Sequence, residues 1–455
     1  MFATLLAATC LGWIGTVAAQ EAPAAAAAPG SKTLTPLGAE RAGNAEGTIP
    51  AWDGGLAQTP ATSSGFKPGA VYPDPFADEH PLFTVTPGNA ASYKEHLTPG
   101  QLALLKLYDD YAITVYPTHR TAAVPQGFAD DSVANAASSR ARLSAGGNGV
   151  TGTTSGIPFP VPHSGLEAIW NALTRYHGES YETQSQLAAV TRGGDYSLVT
   201  LRYRLKFIYG AQTLALSERG GNLLALFMQE VLAPPRLAGG TVLVHETLDQ
   251  AAEPRRAWTY NAGTRRVRLA PGVAYDNPGP NADGLRTDDD FGLFNGATDR
   301  YDWTLTGKRE ILVPYNGYRI AGNTVALRDL LTPRHLNPAY ARYELHRVWV
   351  IEARLKTGYT HIYSRRTFYL DEDSWAPLLD EEYDGHGELW RVGENHLLQL
   401  WDVPMPFSGL EALNDLQSGR YLASRLYNNS DRLYVKATFG TDDFTPERLR
   451  ETGLR

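Results

Sequence analysis

The sequence predicts a β-rich α+β fold: a large open antiparallel β-barrel, short helices plugging its concave side, and an extended N-terminal arm. Three observations point there. Residues 197–209 alternate, with Leu201, Tyr203, Leu205 and Phe207 on one side and Arg202, Arg204 and Lys206 on the other. From 343 to 400, strand-like runs are joined by brief turn-forming segments, the pattern of a meander. Helix start signals are few.

In chain order, residues 1–19 carry no charged side chain and end Val17-Ala18-Ala19, a small-x-small pattern that reads as an export signal, although it lacks a basic residue at its start. Cys10, the single cysteine, falls inside that segment, so the mature chain has no thiol and no disulfide. Thr9 and Ala7 stand where a lipoprotein signal places a small residue and a leucine, which disfavours a lipid anchor on Cys10. Residues 20–35 read as a flexible Ala- and Pro-rich leader. Residues 36–163 read as an arm with helices packed on the barrel, and 164–455 as the barrel domain with inserted helices. The arm is rich in Gly and Pro, with scattered aromatics (Trp52, Phe66, Tyr72, Phe76, Phe83).

Thr98-Pro99-Gly100-Gln101 predicts a helix start: Thr98 caps, Pro99 suits the first helical position, and Gln101 closes a capping box. Ser164-Gly165-Leu166-Glu167 predicts another. Ser408-Gly409-Leu410-Glu411 echoes it after a similar Pro-x-Pro run and predicts a third helix entered in the same way. Between and after them, strands are expected at 197–209, 223–232, 241–248, 256–260, 265–269, 343–355, 359–370, 376–383 and 388–400. Half of each strand is polar, so one face meets water or a polar layer. A barrel of modest size can leave an apolar interior for one ligand.

Composition narrows the function. Against 41 Lys and Arg stand 49 Asp and Glu, a net charge of −8, which argues against broad binding to nucleic acid or anionic lipid. A Gly-x-Ser-x-Gly nucleophile turn is absent, and capping explains Ser164. No His-x-His or His-Glu-x-x-His pattern signals zinc. His335, His346 and His361 fit hydrogen-bonded roles better than a shared metal. Asp288-Asp289-Asp290 lacks the glycine of a calcium loop and reads as a solvated acidic loop. Asp371 to Asp373 and Glu381-Glu382 are carboxylates of the type glycosidases use, which keeps an envelope hydrolase open as an alternative. No cofactor is signalled. In the hairpin around Asn261-Ala262-Gly263, Arg266 and Arg268 share one side of a strand. They read either as an exposed basic surface or as cations that pair with a carboxylate or phosphate headgroup. Trp258, Tyr260, Trp303, Trp349, Tyr363 and Trp390 read either as core or as the wall of a ligand site.

Several motifs carry a resemblance. They include Leu37-Gly38-Ala39-Glu40-Arg41-Ala42-Gly43-Asn44 with Thr48-Ile49-Pro50-Ala51-Trp52, and Tyr116-Pro117-Thr118-His119-Arg120. Phe294-Asn295-Gly296-Ala297-Thr298-Asp299-Arg300-Tyr301-Asp302-Trp303, Glu344-Leu345-His346-Arg347-Val348-Trp349-Val350 and Phe368-Tyr369-Leu370-Asp371-Glu372-Asp373-Ser374-Trp375 are others. Over about residues 35–450 the chain resembles the bacterial family called domain of unknown function 1329, itself similar to the outer-membrane lipoprotein-sorting carriers LolA and LolB. The resemblance implies an unclosed barrel with a cavity for acyl chains, and a periplasmic protein, associated or not with the outer membrane. It also implies partnership with an exporter of the resistance-nodulation-division (RND) type, and no catalytic residue. On that reading Trp258, Tyr260, Arg266, Arg268, Trp303, Trp349 and Tyr363 are the expected ligand contacts. A non-binding structural partner of an exporter is the other alternative.

Overall fold

The computed structural model describes residues 27–453. The expected export signal at 1–19, with Cys10, and the first part of the leader lie outside the described residues. The strands, in chain order, are β1 (Phe83–Val85), β2 (Ile113–Val115), β3 (Arg142–Leu143), β4 (Val150–Thr151), β5 (Ser180–Val190), β6 (Tyr196–Phe207), β7 (Leu223–Ala233), β8 (Thr241–Thr247), β9 (Arg256–Asn261) and β10 (Arg266–Leu269). They continue with β11 (Tyr301–Pro314), β12 (Tyr343–Leu355), β13 (Arg365–Asp371), β14 (Pro377–Tyr383), β15 (Leu389–Leu400), β16 (Met405–Asp415), β17 (Arg420–Leu426) and β18 (Val435–Lys436). The helices are α1 (Pro99–Leu107), α2 (Gln126–Ser138), α3 (Gly165–Thr174), α4 (Leu216–Arg219), α5 (Tyr318–Ala321), α6 (Leu327–Leu330) and α7 (Pro446–Gly453).

All strands except the β3–β4 pair join one 16-stranded sheet. Its long run goes β11-β12-β13-β14-β15-β16-β17-β5-β6-β7-β8-β9-β10, antiparallel throughout. β1 and β2 extend it through a single parallel bridge between Val115 and Tyr343. β17 returns to pair with β5, which ties the C-terminal meander to the N-terminal one. The sheet is strongly curved and open, since β10 and β11 end it without pairing to each other among the described residues. The expected β-rich α+β class holds in that form, without closure into a barrel.

Two helix starts follow their sequence signals. The Thr98 side chain accepts from Gln101 N–H while Gln101 Oε1 accepts from Thr98 N–H, at 3.1 and 3.0 Å. Ser164 Oγ accepts from Glu167 N–H and starts α3. The third expected helix is a correction: 405–415 is β16, hydrogen-bonded on both sides and buried along its length. The Ser-Gly-Leu-Glu signal belongs to a cap only when the following residues are free to leave the sheet. Here flanking strands compete for the same backbone groups, and the buried Leu410, Ala412 and Leu413 pack on both faces. The expected strand at 359–370 begins only at Arg365, because residues 356–364 form a loop. β11, β17 and α2 are not among the elements that the sequence predicts.

α3 packs across β11 and β12. The approach is tight: a Cβ at Gly165 would sit 2.7 Å from the Trp303 carbonyl carbon and 2.8 Å from Thr304 N. Backbone cannot yield as a side chain does, so Gly165→Ala is expected to lose about 1–3 kcal/mol. A urea unfolding midpoint equal to that of the parent would contradict this packing. α7 covers the opposite side of β7, β8 and β9, where Leu226, Met228, Leu243 and Tyr260 pack on Phe444 and Leu449.

The arm is bound from its start. Arg41 donates to Ser31 O and Leu34 O, and Trp375 Nε1–H donates to Leu37 O. Phe66 and Tyr72 pack on Trp401. Among the described residues no helix is long and apolar enough to cross a membrane.

Candidate functional site

Alternation along β6, β7 and β8 sets rows of side chains on the concave face. The cross-strand triplets are Tyr203–Gln229–Val242, Leu205–Phe227–Val244 and Phe207–Ala225–Glu246. Because strand neighbours point to opposite faces, the same strands serve α7 on one side and this concavity on the other. Met405 and Phe407 of β16, Leu397 of β15 and Arg425 of β17 continue the wall. The last turn of α3 and the chain leaving it add Leu173, Arg175 and His177, and the segment 273–295 folds over the opening with Arg286, Asp288, Phe291 and Phe294. The cavity is partly open to the surface and has a volume of ≈ 170 Å³. That is room for on the order of ten waters, far beyond a packing defect.

The lining is mostly apolar, and its polar groups are few and placed. Arg255 Nε donates to Glu246 Oε2 at 2.6 Å, and its Nη2 donates to Asn295 Oδ1 at 3.1 Å. Arg425 Nε donates to Glu411 Oε1 at 2.6 Å. Arg175 and Arg286 form no ion pair among the described residues. Burial, reinforced by the Arg425 charge, pushes Arg175 down to about 10. His177 stacks on Phe207 at 4.9 Å, and burial holds it well below the usual imidazole range, so it is neutral. Burial pushes Asp288 up to about 7, against the pull of Arg286.

A buried ionic network braces the segment 273–295 from below. Arg366 is fully buried. Its Nη2 donates to Asp290 Oδ1 (2.6 Å), Glu382 Oε1 (3.1 Å) and Leu293 O (3.1 Å), while Nη1 donates to Asp289 Oδ2 (3.2 Å). His361 Nε2 lies 3.0 Å from Asp289, and Tyr363 donates its hydroxyl to Asp290. This corrects the reading of Asp288 to Asp290 as a solvated loop. Asp289 and Asp290 are buried because Arg366 and its neighbours satisfy them.

Elsewhere, ligand-type atoms of His346, Asp371 and Asp373 lie within 4.8 Å of one another. Each is engaged within the protein. Arg120 holds Asp373 with two hydrogen bonds of 2.6 and 2.8 Å, Tyr315 and Ser374 donate to Asp371, and His346 Nε2 lies 3.1 Å from Glu344. His335 sits in a separate contact with Asp110. Glu381 accepts from Gly100 N–H, and Glu382 serves Arg366. None of the carboxylates considered for glycoside chemistry lines the cavity.

The seven residues expected to contact ligand are scattered. Trp258 and Tyr260 face α7, with His245 edge-on to Trp258. Arg266 and Arg268 are exposed on β10, the last strand of the sheet. Trp349 stacks on Trp375 at 5.9 Å, with the Lys308 ammonium over its face. Tyr363 belongs to the Arg366 network and accepts from Arg391. Trp303 stacks on Phe368 and meets the edge of Phe294, and Phe294 in turn lines the cavity. The cavity wall thus consists of other residues. Leu205 and Phe207 lay in the clearest alternating strand, and their side was readable. Arg175, Arg286 and Phe291 lie at a helix exit and in a loop, where no periodicity announces a direction.

The fold and the cavity describe an open-sheet protein with an apolar, arginine-bearing interior. The chain belongs to the family described as Protein of unknown function (DUF1329), whose profile matches residues 84–450. It is 47% identical over 427 residues to Uncharacterized protein PA3922 of Pseudomonas aeruginosa, covering 93% of this chain and 92% of that one. Among solved structures, a DUF1329 family protein from Desulfovibrio piger matches with 13% identity and a TM-score of 0.40, over 60% of this chain and 92% of the other. LolA superfamily protein NE2245 from Nitrosomonas europaea matches with 13% identity and a TM-score of 0.35, over 62% of this chain and 98% of its own.

Proposed function

We propose that this protein is a periplasmic carrier that holds a lipid or other hydrophobic molecule in the cavity between β5–β8, β15–β17 and the segment 273–295. The observation that carries the reading is that cavity. Its ≈ 170 Å³ is walled mainly by side chains such as Leu205, Phe207, Phe227, Val244 and Phe407. Water in a chamber lined mainly by apolar side chains finds few hydrogen-bond partners, and an alkyl tail that displaces it removes apolar surface from water. Each buried methylene adds about 0.8 kcal/mol of transfer free energy. Family resemblance supports the envelope location and an RND exporter as the partner that delivers or receives the cargo. Contact with the outer membrane belongs to the same proposal, while Trp258, Tyr260, Arg266, Arg268, Trp303, Trp349 and Tyr363, expected as ligand contacts, lie outside the lining of the chamber.

The test is native mass spectrometry and solvent extraction of protein purified from its own periplasm, beside Val244→Phe. Val244 points into the cavity, and a phenyl ring there occupies tail space. The parent is expected to carry a co-purifying hydrophobic species, and Val244→Phe to carry several-fold less at a similar melting temperature. Equal occupancy in both, or an empty parent, rejects the cavity as the cargo site.

A further inference from the structure

We infer that the cargo of this cavity is a single-tailed amphiphile with an anionic head, a carboxylate or a phosphate, held by Arg286 and Arg175. The inference rests on the carrier reading above and names the class of its ligand. Its basis is an imbalance of charge inside an otherwise acidic protein. Arg175, Arg255, Arg286 and Arg425 all line one chamber. Two of the four are neutralised, Arg255 by Glu246 and Arg425 by Glu411. The other two are not.

Arg286 is 4% exposed, and its Nε has no hydrogen-bond partner among the described residues. Its guanidinium rests on the face of Phe291, 5.4 Å from the ring centre, while the Arg425 guanidinium approaches the same ring at 5.0 Å. Phe291 therefore holds two cations towards one region, and only one of them has a carboxylate. Arg175 donates to Ala172 O at the C-terminal end of α3, a contact that orients the side chain; Glu411, the acid that acts on it, is hydrogen-bonded to Arg425, and Arg175 has no ion pair of its own among the described residues. Asp288 is the nearest acid to Arg286 along the chain, yet it forms no ion pair with it among the described residues.

Guanidinium groups out of water without a counter-charge are costly, and natural interiors supply one. A carboxylate or phosphate entering here gains charge-assisted and bidentate hydrogen bonds from donors already in place. The tail then lies against Leu205, Phe227 and Val244. A neutral lipid gains the second contribution only. A free inorganic anion gains the first only.

The experiment uses the full chain, delipidated, with isothermal titration of dodecanoate, dodecyl phosphate, dodecanol and inorganic phosphate at neutral pH. Dodecanoate and dodecyl phosphate are expected to bind about tenfold or more tighter than dodecanol, and inorganic phosphate weakly or not at all. Arg286→Met and Arg175→Met are each expected to remove most of that preference while leaving dodecanol affinity unchanged. Arg286→Lys, which keeps the charge, retains part of it. Because each Met variant deletes a cation of the cavity wall that has no ion-pair partner among the described residues, the ligand-free melting temperature is expected to stay level or rise, which separates lost recognition from lost folding. Equal affinity of dodecanol and dodecanoate overturns the headgroup assignment while the carrier reading stands. Inorganic phosphate binding as tightly as dodecyl phosphate also overturns it, by showing an anion site without a tail. Failure of all three alkyl ligands defeats both readings.

Discussion

Arg366→Met is expected to destabilise the protein by about 3–5 kcal/mol, the cost of breaking a buried ionic network from one side. Arg366 is fully buried, and its hydrogen bonds reach Asp289, Asp290 and Glu382, with Asp380 Oδ2 at 3.9 Å. Burial pulls its ionisation down, but Asp290, Asp289 and Glu382 more than reverse this and hold it well above the usual arginine value. In return, burial alone would raise Asp290, and the Arg366 charge with the bonds from Glu382 and Thr287 holds it down at about 2. Methionine matches the stem of arginine and removes the charge, leaving carboxylates of one sign in a dry interior. A second consequence separates this network from inert core. Arg366 also binds Leu293 O, so it anchors the segment that brings Phe291 and Phe294 to the cavity. On the carrier reading, loss of bound cargo is therefore expected even in the fraction that folds. Chemical denaturation measures the first effect and native mass spectrometry the second. A variant within 1 kcal/mol of the parent would show that the network carries no net ionic attraction. Adding Asp290→Asn to Arg366→Met removes one of the stranded charges and is expected to recover part of the loss.

How much of this was legible in the sequence depends on whether local pattern or distant partners decide each element. β6 announced itself because its two faces meet different surroundings, so Leu205 and Phe207 alternate with Arg204 and Lys206. Thr98 and Ser164 announced helices because a cap is a local hydrogen bond. β16 misled because it is buried on both faces, and a strand without a polar side loses the period of two. Its Ser-Gly-Leu-Glu run then resembled a helix start. The acidic run at 288–290 misled for a related reason. Its counter-charge, Arg366, lies more than seventy residues away, and only the tertiary fold brings the two together. Trp258 and Tyr260 were read as one aromatic wall with Trp303 and Trp349, but spacing along a strand fixes which residues share a face and leaves open which face turns inward. The cavity arginines were missed because loops and helix exits point side chains by three-dimensional packing, with no repeat to count.

The same network makes stability depend on pH in a direction opposite to ordinary acid denaturation. Burial pushes Asp380 up to about 8, with Asp290 and Glu381 adding to the rise and Arg366 opposing it. Both of its carboxyl oxygens are buried without a hydrogen-bond partner among the described residues, and a Cβ at position 393 would strike one of them at 1.9 Å, so the strand beside it offers no room for solvent. Below about pH 4, the carboxyl is protonated in both the folded and unfolded chains and contributes no pH dependence. Between about pH 4 and 8, the unfolded chain releases the proton and the folded chain keeps it. Folding then binds protons, and stability falls as pH rises. Above about pH 8, the folded protein must hold the buried charge, and the loss levels off. Asp380→Asn keeps the shape and never ionises. Its stability relative to the parent is expected to grow by a few kcal/mol from pH 4 to pH 8 and then plateau. Asp290 acts in the opposite sense at the acid end, since its depressed value adds stability that disappears only as pH falls towards 2. The two residues are therefore separable in paired melting curves across pH. A difference between Asp380→Asn and the parent that stays constant from pH 4 to 8 would show that Asp380 ionises as freely in the fold as in the open chain.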